Sequence, residues 1–171
     1  GILSLMIVNG AFIQIITGLG TDAAIVWHGV STEMEDKNRI FSIAVYTALL
    51  QFLLFVIAAF LFFRVTSKTI LSGEHGNTFF YIELLYFTGL ILTEKYTALF
   101  YSQQMATLCN KLLAVSSFIL LLACIVLFFF LPETIVDNPA IVFSFFIFIP
   151  AFVLLISYHM KLKPVLVRIN N

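Results

Sequence analysis

Apolar residues gather along this chain in five blocks, each long enough to cross the roughly 30 Å hydrocarbon layer of a bilayer as a helix. The blocks run from Ile2 to about Ile25, Ile40 to Phe63, Phe79 to about Phe100, Leu112 to Leu131 and Ala140 to His159. Between them stand stretches of charge and turn formers: STEMEDKNR, RVTSKTILSGEHGN, SQQMATLCNK and PETIVDNP. The pattern predicts one all-α domain over 1–171, a polytopic transmembrane helix bundle of five spans belonging to a larger transporter of twelve or more.

Polar positions inside the blocks carry the candidate chemistry. The stretch YIELLYFTGLILTEKYTALFY, residues 81–101, holds Glu83, Glu94 and Lys95. At about 100° per residue, Glu83 and Glu94 return to nearly one direction some 16 Å apart, and Tyr86, Leu90, Thr97 and Tyr101 fall near the same line. An ionisable group in a span costs on the order of 3 kcal/mol, so this stripe is expected to face the bundle interior or a wet cavity. The plainer alternative has Glu83 reaching water at the outer surface while Glu94 and Lys95 snorkel to the inner one.

In the first block Gly10, Gln14, Thr17, Gly18 and Thr21 recur at three- and four-residue spacing, a small and polar face suited to close packing or to lining a channel. Asp22 and Lys95 lie toward the same end of two spans that run in the same direction, and their matching depths predict an ion pair. Thr47, Gln51, Ala44 and Ala48 in the second block, and Ser116, Ser117 and Cys124 in the fourth, read as packing positions. Pro150, near the middle of the fifth, removes a backbone hydrogen bond and predicts a kink, either a hinge or a fixed bend.

Composition reinforces the membrane reading: 61% of the 171 residues are hydrophobic and 11% charged, against about 25% charged in ordinary soluble domains. Nine Lys and Arg balance nine Asp and Glu, and no basic run exists to follow a nucleic-acid backbone, which excludes that partner. Cys109 and Cys124, about 22 Å apart on one helix, lie beyond the reach of a disulfide. The opening segment fits a signal peptide badly, and the chain reads as a piece of a longer protein.

Lys37, Arg39, Lys111, Lys161, Lys163 and Arg168 belong to one side and only Arg64 and Lys68 to the other. That excess puts the tail in the cytoplasm and residue 1 outside, with an odd number of spans before it. His28, His75 and His159 fall at three different span ends, and neither a zinc-protease motif nor a phosphate loop is present. Neither cofactor, metal nor enzymatic chemistry is expected.

Two segments resemble a known family. GILSLMIVNGAFIQIITGLGTDAAIVWHGVS is similar to the second transmembrane helix of bacterial polysaccharide flippases, the Wzx-type members of the multidrug/oligosaccharidyl-lipid/polysaccharide exporter superfamily. LILTEKYTALFYSQQMATLCNKLLAVSSFILLL resembles that family's fourth and fifth helices. The chain would then span about helices two to six of the bundle.

The resemblance implies a flippase of the bacterial cytoplasmic (inner) membrane. It would carry undecaprenyl-diphosphate-linked oligosaccharide to the outer leaflet for lipopolysaccharide or other surface polysaccharide, by rocking around a central cavity, alongside glycosyltransferases and a polysaccharide polymerase. Glu83, Glu94, Lys95, Asp22, Gln14, Tyr86, Thr97 and Tyr101 would line that cavity or couple it to ions, with Pro150 as the hinge.

Where relatives often carry Arg after paired alanines, this chain has Trp27 and Tyr101, with His28 the nearby titratable group on the first helix. The segments TDAAIVWH…NRIFS and YTALFYSQ…NKLLAVS also look alike, as in transporters built from duplicated helix pairs. The rival readings are an ion-coupled exporter of small molecules, a membrane-embedded polymerase or acyltransferase, and a structural subunit. The polymerase would need a large outer loop rich in His or Arg, whereas the longest outer connection offers only Arg64, Lys68, Glu74 and His75.

Overall fold

A computed structural model describes residues 1–31, 37–130 and 139–167. The predicted connections at 32–36 and 131–138, Leu131 at the end of the fourth block, and Arg168 lie outside the described residues. Seven helices follow one another: α1 (Ile2–Gly18), α2 (Thr21–Ser31), α3 (Lys37–Thr66), α4 (Asn77–Ser102), α5 (Ala106–Phe130), α6 (Pro139–Phe146) and α7 (Phe148–Leu162). Among the described residues there is no strand, only an isolated antiparallel bridge between Lys68 and His75.

Three helical stretches are long and apolar enough to cross a membrane, Lys37–Thr66, Ala106–Leu127 and Val142–Leu162, and a fourth is reached if the bent α1–α2 pair counts as one span. The difference from the five expected spans lies in α4. That helix has 26 residues but carries all three of the charged side chains, and every other helix packs against it. Leu, Ile and Phe side chains of α1, α3 and α5 stay exposed instead, the arrangement of a membrane protein whose apolar surface is covered by lipid.

The first block does not form the straight helix its hydropathy predicts. α1 and α2 meet at an angle of 58°. Leu19 and Gly20 both adopt left-handed backbone, at φ 48° and 71°, which ends α1 at Gly18. Glycine takes that conformation freely, whereas Leu19 is held there at a cost of roughly 1 kcal/mol. Thr21 and Asp22 then open a new helix, with the Asp22 carboxylate in its first turn, where the helix dipole favours an anion.

Pro150 acts where its chemistry says it should. Its ring displaces the carbonyl four residues earlier, that of Phe146, and Phe146 is the last residue of α6. The interruption is confined to Ile147, whose amide still donates to the Phe143 carbonyl at 3.1 Å, so α6 and α7 continue as one bent span. Pro150→Ala is expected to close this gap and raise the thermal midpoint in detergent, by the equivalent of about 1–3 kcal/mol. A lowered midpoint would show that the bend itself is needed for packing.

Two apolar cores lie one above the other with α4 running through both. One gathers Ile25, Ile40, Phe41, Ala44, Tyr96, Leu99, Phe100, Leu154 and Tyr158; the other gathers Met6, Phe55, Ala59, Leu71, Ile82, Tyr86, Phe87 and Ile91. The tail returns to the first core's end of the bundle, where the Val165 amide donates to Asn38 Oδ1 and the Val167 amide to Ser42 Oγ, both at 2.9 Å. Lys161 and Lys163 thereby join Lys37 and Arg39 at one end.

Candidate functional site

A polar layer separates the two cores. Along α3, Gln51 falls between Ala44 of one core and Phe55 of the other; along α4, Glu94 and Lys95 fall between Ile91 and Tyr96. Gln51 also sits at the middle of the 30-residue α3, so the layer lies deep in the span rather than at a surface.

The break between α1 and α2 supplies the rest of this layer. Lys95 Nζ donates to Asp22 Oδ1 and to Thr21 Oγ1, both at 2.7 Å. This is the ion pair expected from matched depth, and the Lys95 side chain is 3% exposed against 29% for Asp22. Lys95 therefore does not snorkel; its ammonium ends on the first two residues of the half-helix α2. A broken helix exposes unpaired backbone groups and dipole ends inside the bilayer, where transporters place substrate and ion sites.

Glu94 stands beside this pair and is exposed on the outer face of α4. Its electrostatic neighbours are Asp22, Lys95 and Gln14. Two carboxyl groups thus share one ammonium, and the cluster carries one formal negative charge beyond what Lys95 balances.

Gln14 and Gln51 complete the layer. Gln51 Nε2 donates to the Gln14 carbonyl and to Thr17 Oγ1, each at 3.3 Å, tying α3 to the last turn of α1. Although Gln14 is 5% exposed and Gln51 2%, Gln14 Nε2 and Gln51 Oε1 have no hydrogen-bond partner. A buried amide left with an unmet donor or acceptor loses roughly 1–3 kcal/mol, so such groups commonly meet a ligand or an ordered water.

The remaining sequence-predicted residues divide into different environments. Glu83 is buried, 1% exposed, but lies toward the far end of α4, where its Oε1 accepts from the Ser72 amide at 2.6 Å and the Ser72 hydroxyl at 2.7 Å. Its Oε2 accepts from the Leu71 amide at 3.0 Å. Glu83 thus holds a connecting loop and is not joined to Glu94. Tyr86 is buried against Gly10, where an added Cβ would stand 2.8 Å from its ring.

Thr97 bonds back to the Thr93 carbonyl at 2.7 Å, and the Tyr101 hydroxyl donates to Asn110 Oδ1 at 3.0 Å across the α4–α5 turn. Neither belongs to the layer. Gln51, read from sequence as a packing residue, does belong to it. Its only signal was its shared face with Thr47.

No family model, curated protein or solved structure matches this chain.

Proposed function

We propose that this chain is part of a membrane transporter whose path passes the polar layer at the α1–α2 break. On this reading the substrate is an undecaprenyl-diphosphate-linked oligosaccharide moved from the cytoplasmic to the outer leaflet. The observation that carries transport is the Lys95–Asp22 pair, 2.7 Å long and set at a helix break between two apolar cores. A charge pair there is costly to insert and adds little to packing that a pair of apolar residues would not supply.

The substrate class rests on the resemblance of the GILSLMIVNG and LILTEKYTAL segments to polysaccharide flippases. The same resemblance, with the Lys and Arg excess at the end bearing Lys37, Lys161 and Lys163, supports a bacterial inner-membrane location with that end in the cytoplasm. Glycosyltransferases would supply the lipid-linked substrate and a polymerase would consume it.

A second reading, an ion-coupled exporter of small molecules, is favoured by Glu94. With Asp22 it gives the cluster two acids for one ammonium, and an unbalanced acid within a span is a natural place for a coupling cation.

Depletion of the full-length protein tests both readings. The flippase reading expects undecaprenyl-diphosphate oligosaccharide to accumulate, by mass spectrometry of extracted lipids, while surface polysaccharide disappears, and re-expression with Lys95→Ala to leave both unchanged. Normal lipid intermediates together with lost efflux of small cations would transfer the assignment to the exporter. If neither pool moves, transport by this site is overturned.

A further inference from the structure

The connection between α3 and α4 is buried where a loop would ordinarily lie on the surface. Loops stay outside because their backbone groups need partners. Here Leu71 is fully buried within the second core, and Thr69 and Ser72 are buried beside it. Two side chains from different helices make this possible. Glu83 of α4 accepts the Leu71 and Ser72 amides, and Asn9 Nδ2 of α1 donates to the Leu71 carbonyl at 2.7 Å.

The loop is internally bonded as a unit of its own. The Thr69 amide donates to the Glu74 carbonyl at 2.9 Å and the Gly73 amide to the Thr69 carbonyl at 3.0 Å. Thr69 and Ser72 hydroxyls meet at 2.8 Å, Thr69 Oγ1 donates to the Glu74 carbonyl at 3.1 Å, and His75 Nδ1 lies 2.9 Å from the Ser67 carbonyl. At its two ends the backbone turns through left-handed conformations, φ 56° at Ser67 and 109° at Gly76. A rigid body with a swivel at each end is held to the bundle by Leu71, Asn9 and Glu83.

Its position relates it to the polar layer. Asn9 precedes Gln14 by five residues on α1, about 7.5 Å along the axis, and Glu83 precedes Glu94 by eleven on α4, about 16 Å. Leu71 therefore closes the junction of α1, α3 and α4 at the end of the bundle opposite Lys37 and Lys161.

We infer that residues 67–76 form a plug that seals the outer mouth above the Gln14–Gln51–Lys95 layer, latched by the Glu83 carboxylate and the Asn9 amide, and that it must swing out to open the layer to that side. This regulation of the site rests on the transport reading.

The test is cysteine labelling of the full-length protein in membrane vesicles by a membrane-impermeant maleimide applied to each face, and it needs no substrate. The reporters are Leu71→Cys, whose latch bonds are backbone bonds, and Met6→Cys, in the core beneath the plug. A swinging plug exposes both in one event, so both label slowly at a common rate and from one face. Glu83→Gln and Asn9→Ala each accelerate the two rates together by at least tenfold.

Protection of both reporters that neither variant relieves, or reaction at Leu71→Cys without Met6→Cys, overturns the plug. The first result describes a fixed tie and the second a fraying loop. Where a latch variant does not accumulate in the membrane, the common rate in the otherwise native protein decides. A failed transport assay with labelling as expected removes the substrate reading and leaves the moving plug, and the reverse result leaves the site without its gate.

Discussion

Lys95→Met is expected to abolish the activity of the full-length protein and to lower its thermal midpoint in detergent. The substitution keeps the aliphatic stem and removes the ammonium. Asp22 and Glu94 are then left as neighbouring acids at the helix break with no base between them. Removing one partner of a buried pair costs about 3–5 kcal/mol, and the value here falls at the lower end because Asp22 keeps some access to solvent.

Asp22→Asn should be milder, since the Thr21 hydroxyl still accepts from Lys95. Exchanging the pair, Asp22→Lys with Lys95→Asp, should recover part of the loss but not all of it. A cation in the first turn of α2 opposes the helix dipole, by roughly 0.3–1 kcal/mol. A double-mutant cycle on the melting data should return a coupling of about 1–3 kcal/mol. If the two single substitutions simply add, the 2.7 Å contact contributes nothing to the fold and the site loses its anchor.

This pair was legible in the sequence because it needed only depth. Hydropathy locates both ends of a span, and two residues near the same end of parallel spans must lie at one level. The helical nature of all five blocks, and the face Met6, Gly10, Gln14 and Gly18 that α1 buries, follow from periodicity in the same way. The bend between α1 and α2 was less plain. GLGTD contains the signal, glycines able to take left-handed backbone followed by Thr and Asp suited to opening a helix, but the apolar run continues across it and hydropathy alone draws a straight rod.

The role of Glu83 was invisible for a different reason. Its partners are two backbone amides in a loop, and no side-chain pattern announces that a backbone needs a carboxylate. Periodicity aligned Glu83 with Glu94 correctly by angle, yet their neighbours differ because the loop folds over one end of α4 and α2 leans on the other. The joining of Gln14 to Gln51, on helices separated by 37 positions, likewise depends on how α1 rotates against α3, which a single sequence leaves open.

The approach of α2 to α4 that makes the ion pair possible depends on one glycine. A Cβ added at Gly29 would overlap the Ser102 Cβ and stand 3.0 Å from its hydroxyl and 3.1 Å from its Cα. The last of these is backbone and cannot rotate away. Gly29→Ala gains about 1 kcal/mol of helix propensity and is opposed by overpacking of about 1–3 kcal/mol. A net loss is therefore expected, larger for Gly29→Leu.

Because Asp22 lies seven residues earlier on the same helix, about 10 Å along its axis, lifting α2 off Ser102 also draws the carboxylate away from Lys95. Activity should fall further than stability. Ser102→Gly removes the opposing Cβ and hydroxyl and should restore both in the Gly29→Ala background. Melting curves and activity for the four combinations decide the matter. A Gly29→Ala protein that melts and works like its parent would mean that α2 does not rest on α4, and the ion pair would then need another support.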